Sequence, residues 1–433
     1  MPSDGPPRAD HTFSAMNRRH FLSASAATLA ASSLAPSSRA AAGSASLAET
    51  FARLDAAAAR PVLEVSSLKD PVIIETVEVL QPAADKYVVR IRAKGGATGL
   101  AVGNELQMGF LYPILKQRIA PYLIGKDARS WEALLEGVYV HASNYKLQGL
   151  PFWLPLANVE FAIIDLLGRV AGRSAAQLMG GVVRDKVEVY QAFNDREKTP
   201  EASVANVEKT IAVTGAKAVK FKVGGRMSRN RDSLPGRTEA IIPLLRKRLG
   251  ESMTLYADSN GSYDVPEAIR IGRILEAHRV AFYEEPVPFD HFGDTKAVAD
   301  ALDIPIAGGE QDASMYNFTW SLAHDALQIV QPDLFYFGGF VRSIRVARMA
   351  AVLGRDCTPH ISGTGLGFMY MLHFAACVPN IGAHQEFKGF EGDVPATCAT
   401  SSLQSENGFV TPPSGPGLGV ELDPQWIGRA RVL

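Results

Sequence analysis

Cysteine is scarce in this sequence. Three occur in 433 residues (Cys357, Cys377 and Cys398), all in the last quarter, and no C-x-x-C pair is present. That excludes a disulfide framework and a cysteine-built zinc site, and leaves buried free thiols as the plain reading. Neither sign of charge is in surplus: 44 Lys and Arg face 45 Asp and Glu, a formal net charge of −1. A broad electrostatic attraction to nucleic acid or to an anionic lipid surface is therefore not expected. Beyond the N-terminal stretch no run reads as hydrophobic enough to span a membrane. What is present is ordinary globular composition, 47% hydrophobic and 21% charged. The length suits one large α/β domain and a smaller companion.

The first forty or so residues read as an address. Asn17-Arg18-Arg19-His20-Phe21-Leu22 is a twin-arginine pattern, residues 22–35 are rich in Ala, Ser and Leu, and Ser38-Arg39-Ala40 is a small-x-small cleavage site. Residues 1–45 are expected to be a twin-arginine signal peptide and linker, with Met16 an alternative start and the mature protein periplasmic without a membrane anchor. The competing reading is an Ala-rich tail on a cytoplasmic protein.

Residues 47–68 look like a weakly helical extension. Runs at 73–80 and 87–92 read as strands joined by a Pro/Ala/Asp turn, and 112–123 and 130–145 as helices. Residues 70–180 are expected to form an α+β capping domain with a connecting helix from Pro155 to Gly168. Then the pattern changes. Short apolar runs at 187–190, 218–223, 254–257, 280–283, 304–307, 327–330, 355–358 and 381–385 alternate with helix-length stretches. Strands alternating with helices pair in parallel, and eight such units over about 200 residues suggest a closed barrel across 181–400. The Gly/Pro-rich residues 401–433 are expected to return to the capping domain.

Barrel enzymes carry their reactive residues at the C-terminal strand ends. Asp258, Glu284 and Glu310 follow three consecutive predicted strands, with 26 residues in each interval. One carboxylate per β/α unit would place three hard oxygen donors around one point, a set that suits Mg²⁺; singly, each would be an ordinary loop charge or helix cap. Lys220 and Lys222 stand two apart in one strand and so share a face, either toward the barrel mouth or, on an edge strand, toward solvent. Side by side, two ammoniums would lower the pKa of one of them. Asp333 and His360 end neighbouring strands, where the carboxylate could fix the imidazole tautomer. Glu386 ends the eighth strand; it could donate a proton or hydrogen bond to a developing oxyanion, or form a salt bridge to a lysine of the site. Gly224-Gly225-Arg226 resembles a phosphate loop only loosely, and the basic stretch 226–231 reads as a solvated insertion.

Taken in order, Lys220-x-Lys222, Asp258 with Asn260 two residues on, Glu284-Glu285-Pro286, Gly309-Glu310, Asp333, His360 and Glu386 resemble the enolase superfamily, and within it the mandelate racemase subgroup. Ala157-x-x-Glu160 through Asp165-x-x-Gly168, and Gly415-Pro416-Gly417-Leu418-Gly419, resemble its helix before the barrel and its C-terminal return, so the likeness covers roughly residues 70–425. The resemblance implies a modified TIM barrel of the (β/α)7β type under an N-terminal α+β cap. It implies one Mg²⁺ on Asp258, Glu284 and Glu310, with Lys222 as base on one face of a small carboxylate substrate and Lys220 beside that carboxylate. His360, oriented by Asp333, would work on the other face, Glu386 would hydrogen-bond the enediolate, and Asn260 is carried over as substrate-binding. The expected reaction is dehydration of a sugar acid or other hydroxy acid. Racemisation or epimerisation is the alternative, and a non-catalytic periplasmic binding protein is the reading from another class. A homo-oligomer is expected. Specificity is expected from cap segments near 102–110 and 144–153.

Overall fold

The computed structural model describes residues 46–363, 365–390 and 394–433. The twin-arginine pattern and cleavage site lie outside the described residues.

Helix α1 (Leu47–Ala58) opens on a capping box. Ser46 Oγ accepts from the Glu49 N–H at 3.2 Å, and Glu49 Oε2 accepts from the Ser46 N–H at 2.7 Å, so two N–H groups that the first turn cannot pair find partners. The segment expected to be only weakly helical is thus a well-formed helix. It buries Leu54 and Ala57 against the barrel helices Met315–Ala323 and Phe340–Val352, and Arg53 Nη2 donates to the Val352 carbonyl at 3.2 Å.

Strands β1 (Ile74–Ala83), β2 (Lys86–Ala93) and β3 (Thr98–Val102) form an antiparallel sheet. The strand Arg431–Val432 adds to it, with Val432 opposite Leu80. One face of this sheet packs on the helix Leu150–Ala171, which the sequence reading started five residues late, at Pro155. Pro155 sits in the second turn, where one missing N–H is tolerated because burial of the helix supplies its stability. By length and hydropathy this helix could cross a membrane, contrary to the reading that no later segment could; here 89% of its apolar window is buried within the protein. The expected helix 130–145 stops at Val140, because Ala142 and Ser143 take left-handed backbone conformations.

Asp165, buried on the long helix, ties three parts of the chain together. Its Oδ2 accepts from the Leu100 N–H of β3 (2.9 Å) and its Oδ1 from the Leu418 N–H of the returning C-terminus (2.8 Å). A side chain at Gly417, whose φ is +68°, would meet Asp165 Oδ1 at 2.2 Å, so only glycine fits that crossing.

Eight parallel strands follow: β4 (Val187–Ala192), β5 (Ala218–Lys222), β6 (Thr254–Asp258), β7 (Phe282–Glu284), β8 (Ile306–Gly308), β9 (Ile329–Val330), β10 (Asp356–Cys357) and β11 (Gln385–Phe387). Their order is β10-β9-β8-β7-β6-β5-β4-β11, so the last strand lies beside the first. A single parallel bridge, Cys357 to Ile381, spans the remaining gap. This is a modified TIM barrel beneath an N-terminal cap. Period-two alternation sends Tyr190, Tyr256 and Phe282 inward, where Tyr256 and Phe282 stack at 4.1 Å and plug the barrel below its mouth.

Candidate active site

The register fixes the chemistry. Lys222, Asp258 and Glu284 are cross-strand partners on β5, β6 and β7, so three charged side chains stand at one level at the C-terminal ends of their strands. Two residues below, Lys220, Tyr256 and Phe282 share the next level. Glu310 lies just past β8, and φ of +110° at Gly309 brings the chain around to it. Ligand oxygens of Asp258, Glu284 and Glu310 all lie within 4.8 Å of one another, and all three residues are buried.

Each lysine has its own carboxylate. Lys220 Nζ donates to both oxygens of Glu284 at 2.9 Å, and Lys222 Nζ makes a very close contact with Asp258 Oδ2. The mutual repulsion expected of the pair does not govern Lys220. Burial pushes its pKa down, but Glu284, Tyr190, Glu386 and Asp258 together outweigh that and the amine is held well above its ordinary value. Burial pushes Glu284 up to about 7, with Asp258 adding to the rise. Asp258 moves the other way: burial opposes ionisation, but Lys222 and Lys220 hold it well below the usual range.

On the other side, His360 Nδ1 lies 2.6 Å from Asp333 Oδ2, and its Nε2 faces Glu310 Oε2 (3.4 Å) and Glu386 Oε2 (3.5 Å). Burial disfavours the imidazolium, yet Glu310, Glu386 and Asp333 together raise its pKa to about 9. Asp333 also accepts from the N–H groups of Phe335, Tyr336 and Ser362, which locks the carboxylate that orients the ring. Ser362 in turn takes a hydrogen bond from Asn104 of the cap at 2.8 Å. The cap thus reaches the His360 loop directly. Residues 103–105 line a cavity of about 320 Å³ beside Ser362, whereas Gln148, Gly149 and Trp153 line a separate one of about 620 Å³ that Gln311 also borders.

Glu386 pairs with Lys388, Oε1 to Nζ at 3.1 Å. Burial opposes ionisation, but Lys388, Lys220 and His360 keep the carboxyl well below its usual range. The salt bridge, one of the two sequence readings, is present through Oε1, while Oε2 is buried and makes no hydrogen bond. Asn260 is engaged on both ends of its amide. Its Oδ1 accepts from Lys222 (3.2 Å) and Arg196 (2.7 Å), and its Nδ2 lies 3.4 Å from carboxylate oxygens of Glu285 and Glu310.

Sequence reasoning missed four residues here. Gln331, just past β9, donates to Glu284 Oε2 at 3.0 Å. Glu285 is buried with Oε1 unpaired, and burial, with Glu310, Asp258 and Glu284 beside it, pushes its pKa well up. Lys388 and Arg196 are the others. A period-two reading of Glu386-x-Lys388 would have found Lys388. Arg196, four residues beyond β4, carries no periodic signal.

Do these residues suit a divalent cation? The donors are all hard oxygens, their ligand atoms converge, and two neighbouring carboxylate oxygens, Glu285 Oε1 and Glu386 Oε2, are buried with no hydrogen-bond partner. That donor set fits an ion such as Mg²⁺.

A capped parallel barrel with three carboxylates converging at its mouth, between a lysine and a carboxylate-bound histidine, defines a class of carboxylate-activating enzyme folds. Family models match both parts: "Mandelate racemase / muconate lactonizing enzyme, N-terminal domain" over residues 62–180 and "Enolase C-terminal domain-like" over 202–426. The chain belongs to the enolase superfamily, on its mandelate racemase and muconate lactonizing enzyme-like side. It is 29% identical to a D-galactarolactone cycloisomerase of Agrobacterium fabrum, covering 71% of this chain and 81% of the relative. It is 28% identical to an arabinonate dehydratase of Saccharolobus solfataricus, over 71% of this chain and 80% of that one. A crystal structure of a presumptive racemase from Roseobacter denitrificans superposes with a TM-score of 0.77 at 31% identity, covering 83% of this chain and 99% of that one.

Proposed function

We propose that this protein removes the proton alpha to the carboxylate of a sugar acid, or a related hydroxy acid, and expels the β-hydroxyl to leave a 2-keto acid. The observation that carries the reading is the acidic triad set between Lys222 and the Asp333–His360 pair. The dehydratase and cycloisomerase relatives support it.

Asp258, Glu284 and Glu310 would hold Mg²⁺, whose chemistry is to stabilise, as a Lewis acid, negative charge developing on the substrate carboxylate. Lys220 adds a fixed positive charge beneath that point, and Gln331 holds Glu284 from turning away. Lys222, in its neutral form, takes the α-proton. Asp258 and Asn260 hold its amine in place. His360 acts from the opposite side. Asp333 binds Nδ1, which leaves Nε2 directed at the site to hand a proton to the departing hydroxyl. Glu386, paired with Lys388, places Oε2 3.5 Å from Nε2, where its negative charge steadies the imidazolium.

Racemisation or epimerisation is the second reading, favoured by the placement of Lys222 and His360 on two sides of the triad and by the likeness to the Roseobacter protein. The twin-arginine pattern supports export to the periplasm. The test is a panel of mono- and diacid sugars with Mg²⁺, read for 2-keto product and for epimer. Keto product lost on adding EDTA supports dehydration, epimer alone supports the second reading, and activity indifferent to EDTA contradicts the metal-assisted mechanism.

A further inference from the structure

Arg196 is only 7% exposed, yet it meets no carboxylate at ion-pair distance among the described residues. Its partners are neutral acceptors: the Gly224 carbonyl (3.3 Å), the Asp258 carbonyl (3.5 Å) and Asn260 Oδ1 (2.7 Å). A buried arginine is ordinarily paired with an acid, because desolvating a guanidinium without a counter-charge is costly. These bonds use Nε and Nη2. Nη1 has no hydrogen-bond partner among the described residues. The side chain is therefore held by one side of its fork while the other side is left without a protein partner.

The location matters. The Asn260 oxygen that receives Arg196 also receives Lys222, so one amide oxygen separates the guanidinium from the proposed base. The charges around it are mixed. Burial is what most lowers the Arg196 pKa; Asp258 is the strongest charge acting on it and opposes that fall, while Arg226 and Arg237 add to it. Arg237 is engaged by the carbonyls of Asp195, Lys198 and Lys222, whereas Arg226 is exposed on the loop after β5. Positive charges gathered near one point are stabilised when an anion joins them. Asp258 lies on the inner side, but its side chain is already committed to Lys222 and its own loop.

We propose that Arg196, with Arg226 near it, forms an anion subsite on the Lys222 side of the barrel mouth that receives a second carboxylate of the substrate. The enzyme then selects acid sugars carrying a carboxylate at both ends over the matching monoacids. This deepens the reading above and rests on it for the placement of the reacting carboxylate at the acidic triad. A guanidinium fixed on one edge and free on the other suits a carboxylate, whose planar pair of oxygens matches the fork. Gly224 delivers the carbonyl that fixes Arg196, at a φ of +61° and with Ser262 where a side chain would stand.

The test is calorimetric binding, with Mg²⁺ present, of five- and six-carbon aldarates and their matching aldonates to the full-length protein and to Arg196→Gln, Arg196→Lys and Arg226→Gln. The subsite predicts that at least one aldarate binds about 10- to 100-fold more tightly than its aldonate. Arg196→Gln weakens the aldarate at least tenfold more than the aldonate, Arg196→Lys recovers part of the difference, and Arg226→Gln reduces it several-fold without needing a buried change. The proposal is overturned if no aldarate is preferred, if the preference survives both glutamine variants, or if Arg196→Gln weakens both acids equally, which marks a purely supporting role for Asn260. Turnover is read separately. Aldarate preference without α-proton exchange keeps the subsite and removes the lyase reading; exchange without aldarate preference does the reverse. Binding of neither class removes both.

Discussion

Nδ1 of His360 and Oδ2 of Asp333 meet at 2.6 Å, and the same carboxylate is held by three backbone N–H groups. The acid therefore cannot follow the ring if the ring moves. It fixes both tautomer and direction, which a histidine without such a partner lacks. Asp333→Asn keeps the size but must turn an amide N–H toward a donor. We expect kcat to fall about 10³- to 10⁴-fold, as when a histidine is left in the wrong tautomer, with a much smaller change in KM. Steady-state kinetics on any acid found active checks this; an equal loss in KM points to substrate binding instead.

Lys222→Met removes one member of a buried pair and leaves Asp258 uncompensated. Breaking such a pair costs about 3–5 kcal/mol. A divalent cation on the same carboxylate would return much of that. The expected result is a lowered Tm in EDTA that rises on adding Mg²⁺ by more than the wild-type Tm does, while turnover stays at least about 10²-fold down. Thermal melts with and without the ion decide it, and a variant whose Tm ignores Mg²⁺ argues against metal at Asp258.

Glu160 links cap to barrel: its Oε2 accepts from Trp131 Nε1 at 2.7 Å and its Oε1 from the Val341 N–H at 2.9 Å. Burial is the main cause that raises its pKa to about 7, against the hydrogen bonds it accepts. Between about pH 4.5 and 7 the folded protein holds this proton more tightly than the unfolded chain. The associated stability is present below about 4.5 and is lost as pH rises through 7, a few kcal/mol at most. Glu160→Gln cannot titrate and also loses one acceptor. Its deficit against wild type should be large at pH 5 and shrink toward pH 7.5 in denaturant melts; a deficit that grows over this range has the sign wrong.

The proposed export rests on the twin-arginine pattern, which lies outside the described residues. Replacing Arg18 and Arg19 together by lysine should leave the protein in the cytoplasm, whereas the unchanged chain should appear in the periplasmic fraction with a mature N-terminus near Ala41. Fractionation and N-terminal sequencing check this, and equal distribution of both forms removes the export reading.

The strand–helix alternation and the strand-end acids were legible because period two and a repeated β/α length leave direct marks in the chain. Boundaries were less so. β7 begins at Phe282 although the apolar run starts at Val280, since Val280 is itself buried ahead of the ladder. The long helix was truncated at Pro155 because proline reads as a start even where a well-packed second turn tolerates it. Ser46-x-x-Glu49 marked α1 and was passed over in an Ala-rich context. The partners of the site were hardest. Gln331 and Arg196 act through three-dimensional neighbours, Glu284 and Asn260, that lie 47 and 64 residues away in sequence.

The most direct measurement is proton NMR of an active acid sugar in D₂O with Mg²⁺, comparing wild type, EDTA-treated wild type, Lys222→Met and His360→Asn. Wild type should form 2-keto product. His360→Asn should lose product yet still wash deuterium into the α-position through Lys222, while Lys222→Met and the chelated enzyme should do neither. Undiminished product from Lys222→Met, or from enzyme stripped of metal, would contradict proton abstraction at this site.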